Sequence, residues 1–275
     1  MNRSRPALRL GPLIVGAFAM TALVGPALSP YAPEAIALEH AFELPSADHP
    51  LGTSDNGTDI LSVLLHGARL AAVIALLSVG LSLAVGTTLG TIAGYFGGRT
   101  DHVVSAFADL VQAFPGILLA IGIMALTANP GITHVVVALS ATGWVLFARI
   151  ARAQTLTLRQ MEFVLAARAL GAGQLRILAR HIAPNLWGPL VVQATSGLGM
   201  AILAESTLSF LGLGPGARAS WGALLDQGSA VLLRFPHVAL IAGSAISLTV
   251  LGFNLAGDWM RDLADARSVE ANASN

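Results

Sequence analysis

MEFVLAARALGAGQLRILARHIAPN, residues 161–185, is the long polar interruption in the second half of an otherwise apolar chain. It reads as two short helices joined at Gly171 and closed by Pro184, with membrane-length apolar segments on both sides. The first helix is predicted over 157–170, where Ala166, Ala167 and Ala169 form a slim face rich in good helix formers. Arg159 and Glu162 stand three apart and can pair across one turn. Gly171 suits a C-terminal cap, because positive φ costs glycine little. The second helix is predicted over 174–183, with Leu175, Leu178 and Ile182 on one side and Arg176 and Arg180 as a basic edge. A plain inside loop is the simpler account. A helix–glycine–helix with a small-residue face points instead to docking in another protein's groove.

Working outward, six apolar runs reach the roughly 20 residues a helix needs to cross a bilayer. They lie near 10–28, 70–94, 103–127, 132–150, 186–208 and 238–256. Helices follow because lipid offers the backbone no partner outside the segment. Composition agrees: 55% of residues are hydrophobic and 11% charged, against roughly 25% charged in a soluble domain. The first run also resembles a signal peptide, with Arg3, Arg5 and Arg9 before it, but it is longer than an ordinary apolar region of that kind and five more spans follow.

Arginine placement sets the orientation. All 15 basic residues are Arg. With the N-terminus inside, one side collects Arg3, Arg5, Arg9, Arg99, Arg149, Arg152, Arg159, Arg168, Arg176, Arg180, Arg261 and Arg267; the other keeps Arg69, Arg218 and Arg234. Both termini and the 154–185 loop are then cytoplasmic, and 29–69 and 212–237 lie outside. The resulting division is an N-terminus over 1–9, a first span over 10–28, an outer segment over 29–69, a five-span core over 70–257 and a tail over 258–275, predicted to be disordered beyond Arg267.

In the second span Ser78, Ser82, Gly86, Gly90 and Gly94 recur every four residues and share one face. Such a face serves close helix packing, or lines a path; Ser82, Gly86 and Gly90 are the path candidates. Pro115 in the third span and Gly188–Pro189 in the fifth are sites for kinks. Glu205, near the outer end of the fifth span, is either a path residue or a carboxylate hydrogen-bonded to Thr207 or Ser209. Trp144 is read as packing, Trp187 and Trp259 as interfacial anchors. The seven His show no close metal-ligand spacing, no Cys is present, zero net charge gives no field for nucleic acid, and no catalytic grouping lies in the spans.

"LAARALG…HIAP" resembles the EAA loop of bacterial ABC-importer permeases: Glu-Ala-Ala, three residues, Gly, nine residues, then a short apolar stretch ending in Pro. Ala166, Ala167, Gly171 and Pro184 match, whereas Leu165 replaces the Glu and Ala183 the usual Leu. "HPLGTSDNGTDILSVLLHGAR" (49–69), "GYFGGRTD" (94–101), "AESTLSFLGLGPGARASWGALLDQG" (204–228) and "NLAGDWMRD" (254–262) resemble the second permease subunit of dipeptide, oligopeptide and nickel importers, except that Thr58 stands where Arg is common.

The resemblance implies an all-α, six-span permease of the type I importer fold in the bacterial inner membrane, carrying peptides, a nickel complex or a metallophore. It implies a sister permease in a heterodimer, two ATP-binding subunits gripping the loop through Glu162, Leu165, Ala166, Ala167, Arg168, Gly171, Arg176, Arg180 and Pro184, and an external solute-binding protein. ATP and Mg would sit on the partner subunits, with no cofactor on this chain. A P-loop needs Lys, and this chain has none. A stand-alone secondary transporter is the alternative; it would need charged relays inside the spans, which are nearly free of charge. A membrane enzyme is a further alternative that no residue grouping supports.

Overall fold

The computed structural model describes residues 10–216 and 219–273, with side chains to Leu263. The segment 1–9 with Arg3, Arg5 and Arg9, together with Arg218 and the Arg267 side chain, lies outside the described residues. Among the described residues ten α-helices follow one another: α1 Leu10–Leu28, α2 Ile60–Phe96, α3 Gly98–Gln112, α4 Gly116–Ala125, α5 Ile132–Leu158, α6 Glu162–Ala169, α7 Gln174–Ile177, α8 Ala183–Phe210, α9 Trp221–Ala230 and α10 Pro236–Ala273. Five are long and apolar enough to cross a membrane, and α3 with α4 makes a sixth crossing if the bent pair is one span.

The first span coincides with the predicted 10–28. The second begins ten residues earlier than expected, because Asp59 caps it: its carboxylate accepts from Ser62 N at 2.8 Å and from Ser62 Oγ at 2.7 Å. His49 Nδ1 lies 3.0 Å from the other carboxylate oxygen, and since a carboxylate only accepts, this ring nitrogen carries the hydrogen. Ile60 and Val63 are buried with Leu224, Val238 and Ala242, so the first turns of α2 are held by packing that a hydropathy window does not register. At 37 residues and ~1.5 Å each, α2 outreaches the ~30 Å apolar core of a bilayer.

The expected straight third span is broken. α3 and α4 meet at 77°, with Pro115 extended (φ −56°, ψ 123°) immediately before α4. Proline has no N–H for the ladder and excludes the residue before it from helical backbone. The tail differs too: backbone helix continues through Ala273 where disorder was predicted.

α2 and α5 form the central pair. A Cβ on Gly86 would overlap the Trp144 carbonyl oxygen, and one on Gly90 that of Ala148. The two backbones are therefore in direct contact, as small residues every fourth position allow. One buried cluster, including Phe18, Phe147, Leu186, Ile202 and Phe253, joins α1, α5, α8 and α10 around α2.

Candidate functional site: the helix pair and the inter-helix cavity

α5 stops at Leu158, and Arg159 turns the chain back: its Nη1 donates to Gly94 O at 2.9 Å and Tyr95 O at 3.3 Å. A cation at the C-terminal carbonyls of α2 satisfies groups that the helix leaves unpaired and complements its dipole. The expected Arg159–Glu162 pair does not form among the described ion pairs. Glu162 instead opens α6 in its first turn, where negative charge is favourable.

At the far end of α6, Gly171 has φ +80°. Gly171 N donates to Arg168 O and Ala172 N to Ala167 O, both at 3.0 Å, the paired bonds of a Schellman cap. The glycine joint is thus where the sequence placed it. The second helix is not closed by Pro184. α7 passes through a π-turn over Leu178–Ile182 into α8, so 174–210 forms one continuous helical segment. Proline's missing N–H falls where the widened turn needs no donor. Asn185 Nδ2 donates to His181 O at 2.7 Å beside it.

Val164, Ile177 and Ile182 are buried in the same cluster as the spans, seating the pair on the bundle. Ala167 is half-buried and packs against that cluster as well, which corrects its assignment to the open face: it stands three residues after buried Val164, on the same side of α6. Leu175, read on one side with Leu178 and Ile182, is 80% exposed while Ile182 is buried, and Leu170 is 88% exposed. Glu162, Leu165, Ala166, Arg168, Gly171, Arg176, Arg180 and Pro184 are all exposed. Bare leucines beside arginines on an otherwise polar turn have the composition of a docking surface.

A second feature is a cavity of about 560 Å³ bounded by α2, the α3–α4 break, α5 and α8. Its polar lining is Ser78, Ser82, Gln112, Thr142 and Gln193, with no charged side chain. Of the path candidates, Ser82 lines it. Gly86 is sealed in the α2–α5 seam and does not reach it, and Gly90 opens instead onto a separate recess beside Arg149 and Arg152. Glu205 is buried and away from the lining. Its carboxylate accepts from Ser209 Oγ at 2.7 Å and Ser220 Oγ at 3.1 Å. Ser220 in turn accepts from Gly222 N at 3.2 Å as the cap of α9. Glu205 therefore ties the end of α8 to the start of α9, and only its bond to Ser209 was foreseen from sequence.

Other contacts here carried no sequence signal of partnership. Arg152 forms a bidentate pair with Asp101, its Nη2 donating to Oδ2 at 2.6 Å, and Arg149 donates to Asp109 at 2.8 Å. Trp221, in the segment 212–237 that the sequence placed outside, is buried and donates Nε1–H to Leu64 O at 3.0 Å. Trp144 packs as expected, stacked on Phe107 with centroids 5.6 Å apart.

Comparison with known proteins gives this architecture its relatives. Residues 86–269 match the family described as binding-protein-dependent transport system inner membrane component. The chain is 38% identical over 259 residues to the dipeptide transport system permease protein DppC of Alkalihalophilus pseudofirmus, covering 94% of this chain and 85% of that one. It is 36% identical over 266 residues to the oligopeptide permease OppC of Bacillus subtilis, covering 96% and 87%. The glutathione permease GsiD of Pectobacterium atrosepticum is 41% identical over 226 residues, covering 82% and 75%. The chain belongs to the binding-protein-dependent inner membrane permeases.

Among solved structures, an inward-facing MetNI methionine ABC transporter chain superposes with TM-score 0.60 at 19% identity, covering 73% of this chain and 95% of that one. An amino acid ABC transporter chain superposes with TM-score 0.55 at 17% identity, covering 73% and 94%. At these identities the likeness is one of fold, and it is the type I importer permease fold expected from the sequence. This permease is all-α, its spans are those of an inner-membrane component, and its function is that of a transmembrane subunit of a binding-protein-dependent ABC importer.

Proposed function

We propose that this permease forms half of the translocation path of a peptide importer and is driven by ATP-binding subunits that grip the α6–α7 pair. The single observation that carries the reading is the unbroken helical segment from Gln174 to Phe210. A subunit holding α7 holds, through the π-turn, the helix that lines the cavity with Gln193. A push at the loop then tilts that wall, the kind of coupling a two-state transporter requires. Glu162, Leu165, Ala166, Arg168, Leu170, Arg176, Arg180 and Pro184 are the contact residues in this reading, with Gly171 and Ala167 shaping the platform.

A sister permease completes the path. The exposed apolar face of α3, with Val103, Phe107 and Leu110, together with the cavity open beside it, supports a second chain there. Peptide as the solute is supported by relatives named for dipeptide, oligopeptide and glutathione transport and by the uncharged hydroxyl and carboxamide lining, which suits backbone amides. Arginine sorting supports a cytoplasmic helix pair and termini, with 29–59 and α9 outside, where a solute-binding protein delivers its load. Nucleotide and Mg belong to the partner subunits in this scheme, leaving this chain without a cofactor or a catalytic residue.

The test is reconstitution. The assembled importer in proteoliposomes should take up a labelled dipeptide only with ATP inside and binding protein outside. Gly171→Pro forces φ to about −65° where the chain needs a positive value, and Ala166→Trp fills the open face. Each is expected to lower co-purification of the ATP-binding subunits at least tenfold while the permease still inserts. Wild-type levels of those subunits with both variants would refute docking through this loop.

A further inference from the structure

Between the C-terminal end of α2 and α6 lies a recess of about 290 Å³ lined by Tyr95, Arg159, Gln160, Leu165 and Arg168. Its side chains present two guanidinium groups, a carboxamide and a phenol, and no carboxylate. Arg149, Arg152 and Arg261 each have an Asp partner; Arg159 and Arg168 have none among the described residues. Arg159 is fixed by its two bonds to the α2 carbonyls, which engage one of its nitrogens and leave other N–H donors free. Arg168 stands exposed on α6, and among the described ion pairs Glu162 pairs with neither arginine. One guanidinium held by backbone carbonyls and a second, exposed one line the same concave site, and no carboxylate lines it with them.

We propose that this recess is the receptor for a carboxylate side chain presented by the ATP-binding subunit, gripped between Arg159 and Arg168. The inference rests on the coupling reading above and names the partner chemistry within it. A protein carboxylate fits better than a free anion because exposed Leu165 lines the recess and the same helix pair leaves Leu170 and Leu175 bare. Charge paired beside apolar contact that excludes water is how arginine becomes a dominant interface residue. Arg176 and Arg180 lie outside the recess and contribute less, since exposed pairs are weak.

The chain's lack of lysine makes the test specific. Arg168→Lys or Arg159→Lys gives the permease a single side-chain amine, which a zero-length carbodiimide joins only to a carboxylate in direct contact. In the assembled importer, both variants are expected to form an amide with the same Asp or Glu of the ATP-binding subunit, located by mass spectrometry. Arg176→Lys should form little or none. Arg168→Glu should lower recovery of the ATP-binding subunits about tenfold or more, and Arg168→Lys should leave it near wild type.

An intact complex in which neither recess variant cross-links, or only Arg176→Lys does, overturns the proposal. So does wild-type recovery with Arg168→Glu, or loss of cross-linking on adding phosphatidylglycerol vesicles, which would assign the recess to lipid. Failure of the unsubstituted permease to hold the ATP-binding subunits would instead strike the coupling reading itself.

Discussion

Glu205 shows how one buried side chain decides the join between two elements. Its carboxylate gathers Ser209 and Ser220, themselves 5% and 1% exposed. Glu205→Ala leaves both hydroxyl hydrogens without this acceptor in a buried site, at a cost of about 1–3 kcal/mol for each. The detergent-solubilised permease is expected to melt several degrees lower, while Glu205→Gln, which keeps an acceptor oxygen, loses less. Equal melting of the Ala variant and the wild type would show the clamp to be idle.

His40 gives a pH prediction at the same scale. The hydrogen bond to Glu43 (Nδ1 to Oε1, 2.7 Å), followed by that carboxylate's charge, raises its pKa above 6.5. The charged form is favoured in the fold. The contact is therefore fully present below about pH 6.5 and fades as pH rises through the raised value. NMR titration should place the His40 midpoint above 6.5, and Glu43→Gln should return it to the ordinary range. On so exposed a pair the effect on stability is slight.

Among the elements, the α2–α5 seam is the most demanding. Gly90 faces the Ala148 carbonyl with no room for a Cβ, whereas Gly80 in the same helix meets nothing within 4 Å. Gly90→Ala must push the helices apart and should lower the melting temperature markedly. Gly80→Ala should leave it unchanged or raise it, since glycine in a helix interior costs about 1 kcal/mol relative to alanine. If both substitutions had the same effect, the seam would not be in contact as described. The fourfold spacing made this stripe legible, but not which of its members met α5 and which met the cavity, because that depends on helix rotation. Pro115 likewise advertised a disturbance, and only neighbouring helices set it at 77°.

For the whole molecule, α8 links the two ends. Its N-terminal end continues into α7 within the proposed docking surface; its C-terminal end is clamped to α9 by Glu205. A change at the helix pair should therefore reach α9. Spin labels on α6 and α9 should shift together when ATP is added to the assembled importer, and Glu205→Ala should weaken the α9 response while leaving that of α6. Equal α9 movement in both forms would remove Glu205 from the coupling route.

The amino-acid sequence alone determined that this chain lives in lipid as helices, where the first crossing lies, and that Gly171 joins a helix pair. Those properties follow from local composition: apolar length, a proline, a glycine at a positive-φ turn. Only the tertiary structure decided that α2 starts at Ile60, that Ala167 packs against the core cluster, that Pro184 sits within a continuous helical segment, and that Arg159 caps α2 and lines a recess. Each of these depends on a partner distant along the chain, and hydropathy carries no information about which distant group a side chain will meet.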